Sequence, residues 1–263
     1  DLLKTRAKTL FNSLENSDVN FTSSNNLYSQ ELYIGNNQNL SFYKISDAKV
    51  SDVTSLEDAK LKLFTIDSLG EDSTSLKTLD GLSLNLTKTT TDPGIDELIG
   101  NLQYEAPVLD FASVPKSLGT ISGTLEVARE ADYNSTIGFY RVIDSSGSVV
   151  DSLTGNIIST DNSNYKDFAL ASSNLVTELS NISIADDSKG STKIEIDEDS
   201  IIAPYAISNG ETWFAFGAAN SDGIDHFKSF GTNALGLEDL NGGGDRDYDD
   251  FILKFDFNSV TNL

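Results

Sequence analysis

The most concentrated chemistry of the chain lies between residues 238 and 250, where carboxylates follow one another closely. Three consecutive glycines in the middle of this segment allow the backbone to turn tightly with positive φ angles. Neighbouring carboxylates repel one another, by about 1 kcal/mol at a few ångströms even in water, so a bound cation would stabilise them. Ca²⁺ prefers hard oxygen ligands at short spacing. This segment, the acidic loop, is therefore predicted to bind Ca²⁺ through its six acids, Glu238, Asp239, Asp245, Asp247, Asp249 and Asp250.

A second polar cluster shortly before the acidic loop is also rich in oxygen ligands. Asn220, Asp222 and Asp225 surround Gly223 there and are further predicted calcium ligands. If both segments lie at one end of a β-sheet structure, they could share one ion or hold two. The alternative is that all these residues are turn residues, which are solvated or accept hydrogen bonds from backbone N–H groups. Asp144, in an earlier turn, is an outlying candidate.

The spacing of acids in the acidic loop matches the beginning of an EF-hand but does not complete one. Asp245, Asp247 and Asp249 fit the first positions, but an EF-hand requires glycine at position 250 and a bidentate glutamate at position 256. Both positions hold aspartate, and a strand pattern follows where an EF-hand has a helix. The sequence therefore favours calcium without an EF-hand.

Catalytic motifs are missing from the sequence. His226 is the one histidine, there is no cysteine, and no nucleophile elbow, phosphate-binding loop or dinucleotide fingerprint occurs. The clustered acids stand too close together to serve as the separate acid and nucleophile of a glycosidase. We therefore predict that the chain is not an enzyme and that His226 is a packed or hydrogen-bonded residue.

The composition excludes several classes of partner. A formal net charge of −23 argues against nucleic acids, because proteins bind them by neutralising phosphates. No apolar run is long enough to span a bilayer, so membrane insertion is not expected. The absence of cysteine and the abundance of Ser, Thr, Asn, Asp and Gly favour a secreted or cell-surface bacterial protein.

Short alternating segments between polar turns predict a mostly β fold. Residues 1–17 have apolar side chains at three- and four-residue spacing and predict an N-terminal helix. Residues 18–104 predict a smaller β-rich region with a short helix at 95–102, and residues 117–258 predict a β-sandwich or jelly-roll-like domain. Strands are predicted at residues 32–34, 40–45, 61–66, 82–86, 121–127, 136–143, 149–150, 193–196, 213–216 and 251–257, the last with one buried face.

Several segments resemble the DUF4114 domain, which occurs in secreted and surface proteins of cyanobacteria and other bacteria, including calcium-dependent adhesins. The most specific is residues 242–252, with the sequence GGGDRDYDDFI, and residues 218–227 and 236–240 are similar to the family as well. Residues 129–140 and 203–207 look like the cyanobacterial members, so the resemblance extends over roughly residues 117–258. It implies a β-rich module with calcium at the acidic loop.

Three functions agree with this sequence. The first is a structural or adhesive surface module whose fold is stabilised by Ca²⁺. The second is a calcium-dependent module that binds cell-surface glycans, for which Tyr248 is the candidate aromatic contact. The third is a subunit that assembles with itself into a filament or surface layer, for instance by pairing unpaired edge strands.

Overall fold

The computed structural model describes residues 10, 32, 39–46, 48, 53–89, 94–102 and 107–261 and divides them into two compact units. The first unit contains the described residues from 39 to 89. The second contains residues 10 and 32 and everything described from residue 94 onwards. Except for Leu10, the helix predicted at residues 1–17 lies outside the described residues.

The first unit consists of a strand pair and a three-stranded meander, both antiparallel. The predicted strand at 61–66 is divided at Phe64, whose N–H donates to the carbonyl of Phe42 at 2.9 Å. The hairpin predicted between residues 32–34 and 40–45 falls mostly outside the described residues. β1, which lies in its second strand, pairs with β2. The strands are β1 Tyr43–Ile45, β2 Leu61–Leu63, β3 Thr65–Leu69, β4 Ser73–Lys77 and β5 Ser83–Thr87.

The second unit contains two antiparallel sheets of five strands each. One has the order β11-β8-β13-β14, with β6 also paired to β13, and the other has the order β12-β7-β17-β16-β15; β9 and β10 form a separate pair. The strands are β6 Leu109–Asp110, β7 Thr120–Arg129, β8 Thr136–Val142, β9 Val149–Val150, β10 Ile157–Ile158, β11 Leu175–Val176, β12 Ser188–Ile196, β13 Ile201–Ser208, β14 Glu211–Phe214, β15 Phe227–Gly231, β16 Ala234–Leu237 and β17 Phe251–Thr261.

Helices in the described residues are short. The α-helices are Ile95–Ile99 and Tyr165–Ala169, and the 3-10 helices are Gly100–Leu102, Phe111–Ser113, Lys116–Leu118, Thr177–Leu179 and Gly217–Ala219. Over this described part of the chain, no helix combines the length and apolar character that crossing a bilayer requires.

The two five-stranded sheets contribute side chains to one hydrophobic core. Phe139 of β8 contacts Phe255 of β17 edge-to-face, with ring centroids 5.6 Å apart, and both side chains are almost fully buried. Phe111 and Phe257 make a similar contact at 5.4 Å. Burial of large aromatic rings is a major source of stability in such cores. The mostly β fold is confirmed, and the shared core is the arrangement that a β-sandwich requires.

Residues 251–255 of strand β17 are buried on both faces, whereas the alternating sequence predicted one buried and one solvated face. Phe251 on the inner face is 0 % exposed, but Ile252 on the outer face is only 1 % exposed. Ile252 pairs with Gly236, where a Cβ would collide with the backbone carbonyl of Tyr248 and the ring of Phe230. The half-buried prediction was wrong because Tyr248 of the acidic loop packs with Phe230 and Ala234 on the outer face beside Ile252.

The predicted short helix at residues 95–102 is confirmed as an α-helical turn followed by a 3-10 turn. It belongs to the second unit, because Asp96 attaches it to β17 and to the turn before β16. The Asp96 carboxylate accepts hydrogen bonds from the Phe257 N–H and the Asn233 side-chain amide, both at 2.8 Å. Sequence alternation alone gave no sign of this attachment.

Candidate metal centre

Three of the predicted ligands come together in the acidic loop. Carboxylate oxygens of Glu238, Asp245 and Asp247 all lie within 4.8 Å of one another. Glu238 is buried at 1 % exposure, whereas Asp245 and Asp247 are exposed. The cluster therefore has a buried base and an open side from which an ion could enter.

The backbone of the acidic loop turns tightly over the Glu238 side chain through several residues with positive φ angles. Gly242, Gly243 and Gly244 all have positive φ angles, of 85°, 76° and 34°, and so do Arg246 and Tyr248, at 66° and 63°. Non-glycine residues rarely adopt such values, so the surrounding structure must hold these two in place.

Gly244 is required at its position by close approach as well as by its φ angle. A Cβ there would collide with the Glu238 carboxylate and would lie 3.0 Å from the side chain of Leu240. The glycine run therefore gives the Glu238 carboxylate room beneath the loop.

Backbone donors hold the buried Glu238 carboxylate in place. It accepts hydrogen bonds from the N–H of Arg246 at 3.0 Å and of Leu240 at 3.4 Å. Burial nevertheless raises the pKa of Glu238. Burial also raises the pKa of Asp250 to about 8, and the nearby carboxylates of Asp239 and Glu238 add to the effect. Burying either of these carboxyl groups therefore costs less free energy when the group is protonated or lies beside a cation.

Asp239 is buried like Glu238 but makes contacts of its own. One carboxylate oxygen accepts hydrogen bonds from the hydroxyls of Ser135, at 2.5 Å, and Ser208, at 3.0 Å. Its backbone carbonyl accepts from the Trp213 indole N–H at 3.1 Å, and its N–H donates to Asp250 at 2.7 Å. Asp239 therefore attaches the acidic loop to the core, outside the group of three oxygens.

The 220–225 segment is organised by hydrogen bonds from its own side chains. Asn220 is 8 % exposed, accepts from the Phe214 N–H at 2.8 Å and donates to the carbonyls of Phe214 and Ile224. Asp225 accepts from the Gly217 N–H at 2.6 Å. These two predicted ligands stabilise their loop, and neither is among the three clustered carboxylates.

Asp222 joins the two polar loops. Its carboxylate accepts from the Gly242 N–H at 2.9 Å, from the Ile224 N–H at 3.0 Å and from the Nε2 of His226 at 3.0 Å. Burial raises the pKa of Asp222, but these hydrogen bonds outweigh it, so that the pKa is lowered overall. The two segments are therefore neighbours, as the sequence suggested, and a direct hydrogen bond connects them.

His226 is a packed residue at the base of this site. It is 0 % exposed, and its ring stacks on Trp213 with centroids 3.9 Å apart. One ring nitrogen lies 3.0 Å from the Asp222 carboxylate and the other 2.5 Å from the carbonyl of Glu238. The arrangement positions the backbone at Glu238.

The remaining candidates lie apart from the three clustered oxygens. Asp249 is partly exposed, and its N–H lies 3.4 Å from the Asp247 carboxylate. Asp144 accepts from the N–H groups of Ser146 and Ser148 within its own turn. Tyr248, the aromatic proposed to contact glycans, is 2 % exposed.

Residues 184–258 match the family described as Domain of unknown function (DUF4114). This matched segment, and not the whole chain, is called the DUF4114 domain below. The match includes both polar loops, strands β12 to β16 and most of β17, but not β7. It begins after residue 117, where the resemblance seen in the sequence started. Comparisons with curated proteins and with solved structures give no match.

Sequence reasoning missed several residues on which the site of the DUF4114 domain depends. Ser135 and Ser208, which bind Asp239, lie 104 and 31 residues away from it along the chain. Trp213 was identified only as part of the predicted strand at residues 213–216, without its stack on His226. No local pattern could identify these contacts, because they form only when distant strands meet.

Replacing Asn220 in the first polar loop should lower the free energy of unfolding of the DUF4114 domain more than replacing an exposed asparagine does. Asn220→Ala leaves the Phe214 N–H and two carbonyls without their partner, so we expect a loss of about 2–3 kcal/mol. Chemical denaturation measures the loss. Asn241→Ala, in the exposed part of the acidic loop, is the control and should cost less than about 0.5 kcal/mol. Equal losses would contradict the role of Asn220.

Proposed function

We propose that the DUF4114 domain is a non-enzymatic calcium-binding structural module of a secreted or surface protein, with a β-sandwich fold. The observation that carries the proposal is the convergence of carboxylate oxygens from Glu238, Asp245 and Asp247 within 4.8 Å. The other six predicted ligands lie outside this group of three, and we assign them to stabilising the two loops. They are Asn220, Asp222, Asp225, Asp239, Asp249 and Asp250.

The chemistry of the three carboxylates favours Ca²⁺ over other common ions. All of the donors are hard oxygens, which disfavours metals that prefer nitrogen or sulfur. Asp245 and Asp247 are exposed, so that water and backbone carbonyls can complete a large and flexible coordination shell. Ca²⁺ accepts 6–8 oxygen ligands in variable geometry, whereas Mg²⁺ requires a nearly ideal octahedron.

Ion binding at this position would stabilise the domain because the acidic loop is part of the fold. Tyr248 covers the outer face of the second sheet, and its hydroxyl donates to the Asp225 carbonyl at 3.1 Å. Gly242 is joined to Asp222. A cation that neutralises the three clustered carboxylates would therefore stabilise the cover of the sheet and the connection between the loops.

An extracellular location would suit such a site. Calcium is millimolar in extracellular fluids, and calcium sites of extracellular modules commonly have Kd values of about 10⁻⁴–10⁻³ M. A weak site would therefore stay occupied outside the cell. The burial of Tyr248 removes the aromatic contact on which the glycan-binding hypothesis relied, so we retain the structural role.

Isothermal titration of the whole chain with CaCl₂ tests the proposal directly. Glu238→Gln removes one negative charge from the cluster and keeps a side-chain oxygen, so we expect calcium affinity to fall about 10- to 100-fold. The control Glu178→Gln, at an exposed position of a 3-10 helix, should leave the affinity unchanged. Absence of calcium binding to the unmodified chain at millimolar concentrations would refute the proposal.

A further inference from the structure

We infer that strand β5 is the surface through which two copies of this chain associate. In this arrangement β5 of one copy pairs with β5 of the second copy, antiparallel and related by a two-fold axis. The inference concerns the first unit and goes beyond the proposed calcium site, which lies in the second.

One edge of β5, called the open edge, has no paired strand in the part of the chain that the structure describes. Within the residues that the structure describes, β5 pairs with β4 alone. Hydrogen bonds at both ends of this pairing show which residues face β4: the Thr78 N–H donates to the Leu82 carbonyl, and the Lys88 N–H donates to the Asp72 carbonyl, both at 2.9 Å. In an antiparallel pair, the residues that exchange hydrogen bonds alternate along the strand.

Even-numbered residues of β5 therefore direct their backbone groups towards β4, and odd-numbered residues direct theirs outwards. The open edge consists of the N–H and C=O groups of Ser83, Asn85 and Thr87.

The open edge is complementary to itself. A two-fold axis at Asn85 places Asn85 opposite Asn85 of the second copy and Ser83 opposite its Thr87. All three outward residues then exchange hydrogen bonds, about six in total. A register shifted by one residue would oppose outward groups to inward ones and lose these bonds.

Side chains agree with the same register. Leu84 lies opposite Leu86 of the second copy, in a pair of the type whose side chains approach most closely. Both leucines are partly buried in the separate chain, and they continue a row that includes Leu76, which is 7 % exposed. Joining two sheets at β5 would extend this apolar face across six strands.

Charge distinguishes β5 from the other open edge of the meander. Residues Ser83–Thr87 carry no charge, so the two-fold pairing opposes no like charges. β3 instead carries Asp67 at a register shift between Ile66 and Ser68, and two-fold pairing there would bring two Asp67 carboxylates together. Charges and bulges are the features that protect edge strands from pairing. β3 has both of them, and β5 has neither.

The oligomeric state of the full chain in solution tests the inference. Light scattering after size-exclusion chromatography should give a dimer for the unmodified chain, and the dimer should persist in EGTA. Asn85→Lys and Asn85→Glu each oppose two like charges at the axis, so each variant should be a monomer. An equimolar mixture of the two should form heterodimers, since the opposed charges then attract one another.

The control is Asp67→Lys, which alters charge on the β3 edge and should leave the dimer intact. We take a dimer dissociation constant of about 1 mM as the weakest association of interest. A chain that remains monomeric up to that protein concentration would refute the inference. Asn85 variants that stay dimeric, or a mixture that stays monomeric, would refute it as well. Failure of calcium binding would leave these results unchanged, so the two proposals fail separately.

Discussion

Millimolar Ca²⁺ is expected to raise the melting temperature of the DUF4114 domain by about 5–10 °C. At about 10 mM CaCl₂, a hundredfold excess over a Kd of about 10⁻⁴ M, ion binding to the folded state alone adds about 2.7 kcal/mol. Each kcal/mol shifts the melting temperature by roughly 2–4 °C for a domain of this size. Thermal unfolding followed by circular dichroism, in CaCl₂ and in EGTA, measures the shift.

The double variant Asp245→Asn/Asp247→Asn should lose this calcium-dependent shift. In EGTA the variant should melt no earlier than the unmodified chain, because the substitution removes repulsion between exposed carboxylates. The matched control is Asp132→Asn/Asp197→Asn, which changes two exposed acids outside the cluster and should retain the full shift. Coincident melting curves for the unmodified chain with and without calcium would contradict the structural role of the ion.

Asp96→Asn should stabilise the second unit at alkaline pH by roughly 3–4 kcal/mol relative to the unmodified chain. Burial raises the pKa of the Asp96 carboxyl to about 7 from an ordinary value of 3.8, although Phe257 and Asn233 donate to it. The nearby acids Asp256 and Glu97 raise it further, while Lys254, whose own pKa is lowered by burial, lies close enough to interact with it.

The sign follows from proton uptake. Between the ordinary pKa and about pH 7, the folded chain keeps the Asp96 proton and the unfolded chain releases it, so stability falls as pH rises and levels off above about 7. The variant lacks this titration but keeps an oxygen that can accept from Phe257. The difference between the two chains should therefore grow from about pH 4 to pH 8.

Urea denaturation at several pH values measures the difference in unfolding free energy between Asp96→Asn and the unmodified chain. Titration of the groups that both chains share cancels in this difference. Asp132→Asn serves as the control, since Asp132 is exposed, and its difference from the unmodified chain should stay constant with pH. A constant difference for Asp96→Asn would show that this carboxyl is not protonated in the folded state.

The sequence alone predicted most of the strands and the neighbourhood of the two polar loops. Alternation located β7, the end of β12 and the central part of β17, because alternate residues of a pleated strand face opposite sides of the sheet and leave a period of two in the chain. The acids and glycines between residues 238 and 250 indicated a tight loop rich in carboxylates, and the DUF4114 resemblance agrees with the match at residues 184–258.

The tertiary structure places the nine predicted ligands in different environments. Glu238, Asp245 and Asp247 converge, Asp239 faces two serines in the core, and Asn220 and Asp225 accept backbone N–H groups of their own loop. Residue type and spacing cannot separate these cases, since a carboxylate that accepts a backbone N–H and one that faces an ion have the same local sequence.

The chain itself thus determined where its oxygen ligands are concentrated and which segments are extended, because both properties are local. Only the folded protein decided which carboxylates meet, which of them are buried, and that the acidic loop covers the outer face of β17. Those properties depend on strands that are distant in the chain and adjacent in the sheets, and local sequence carries no record of such contacts.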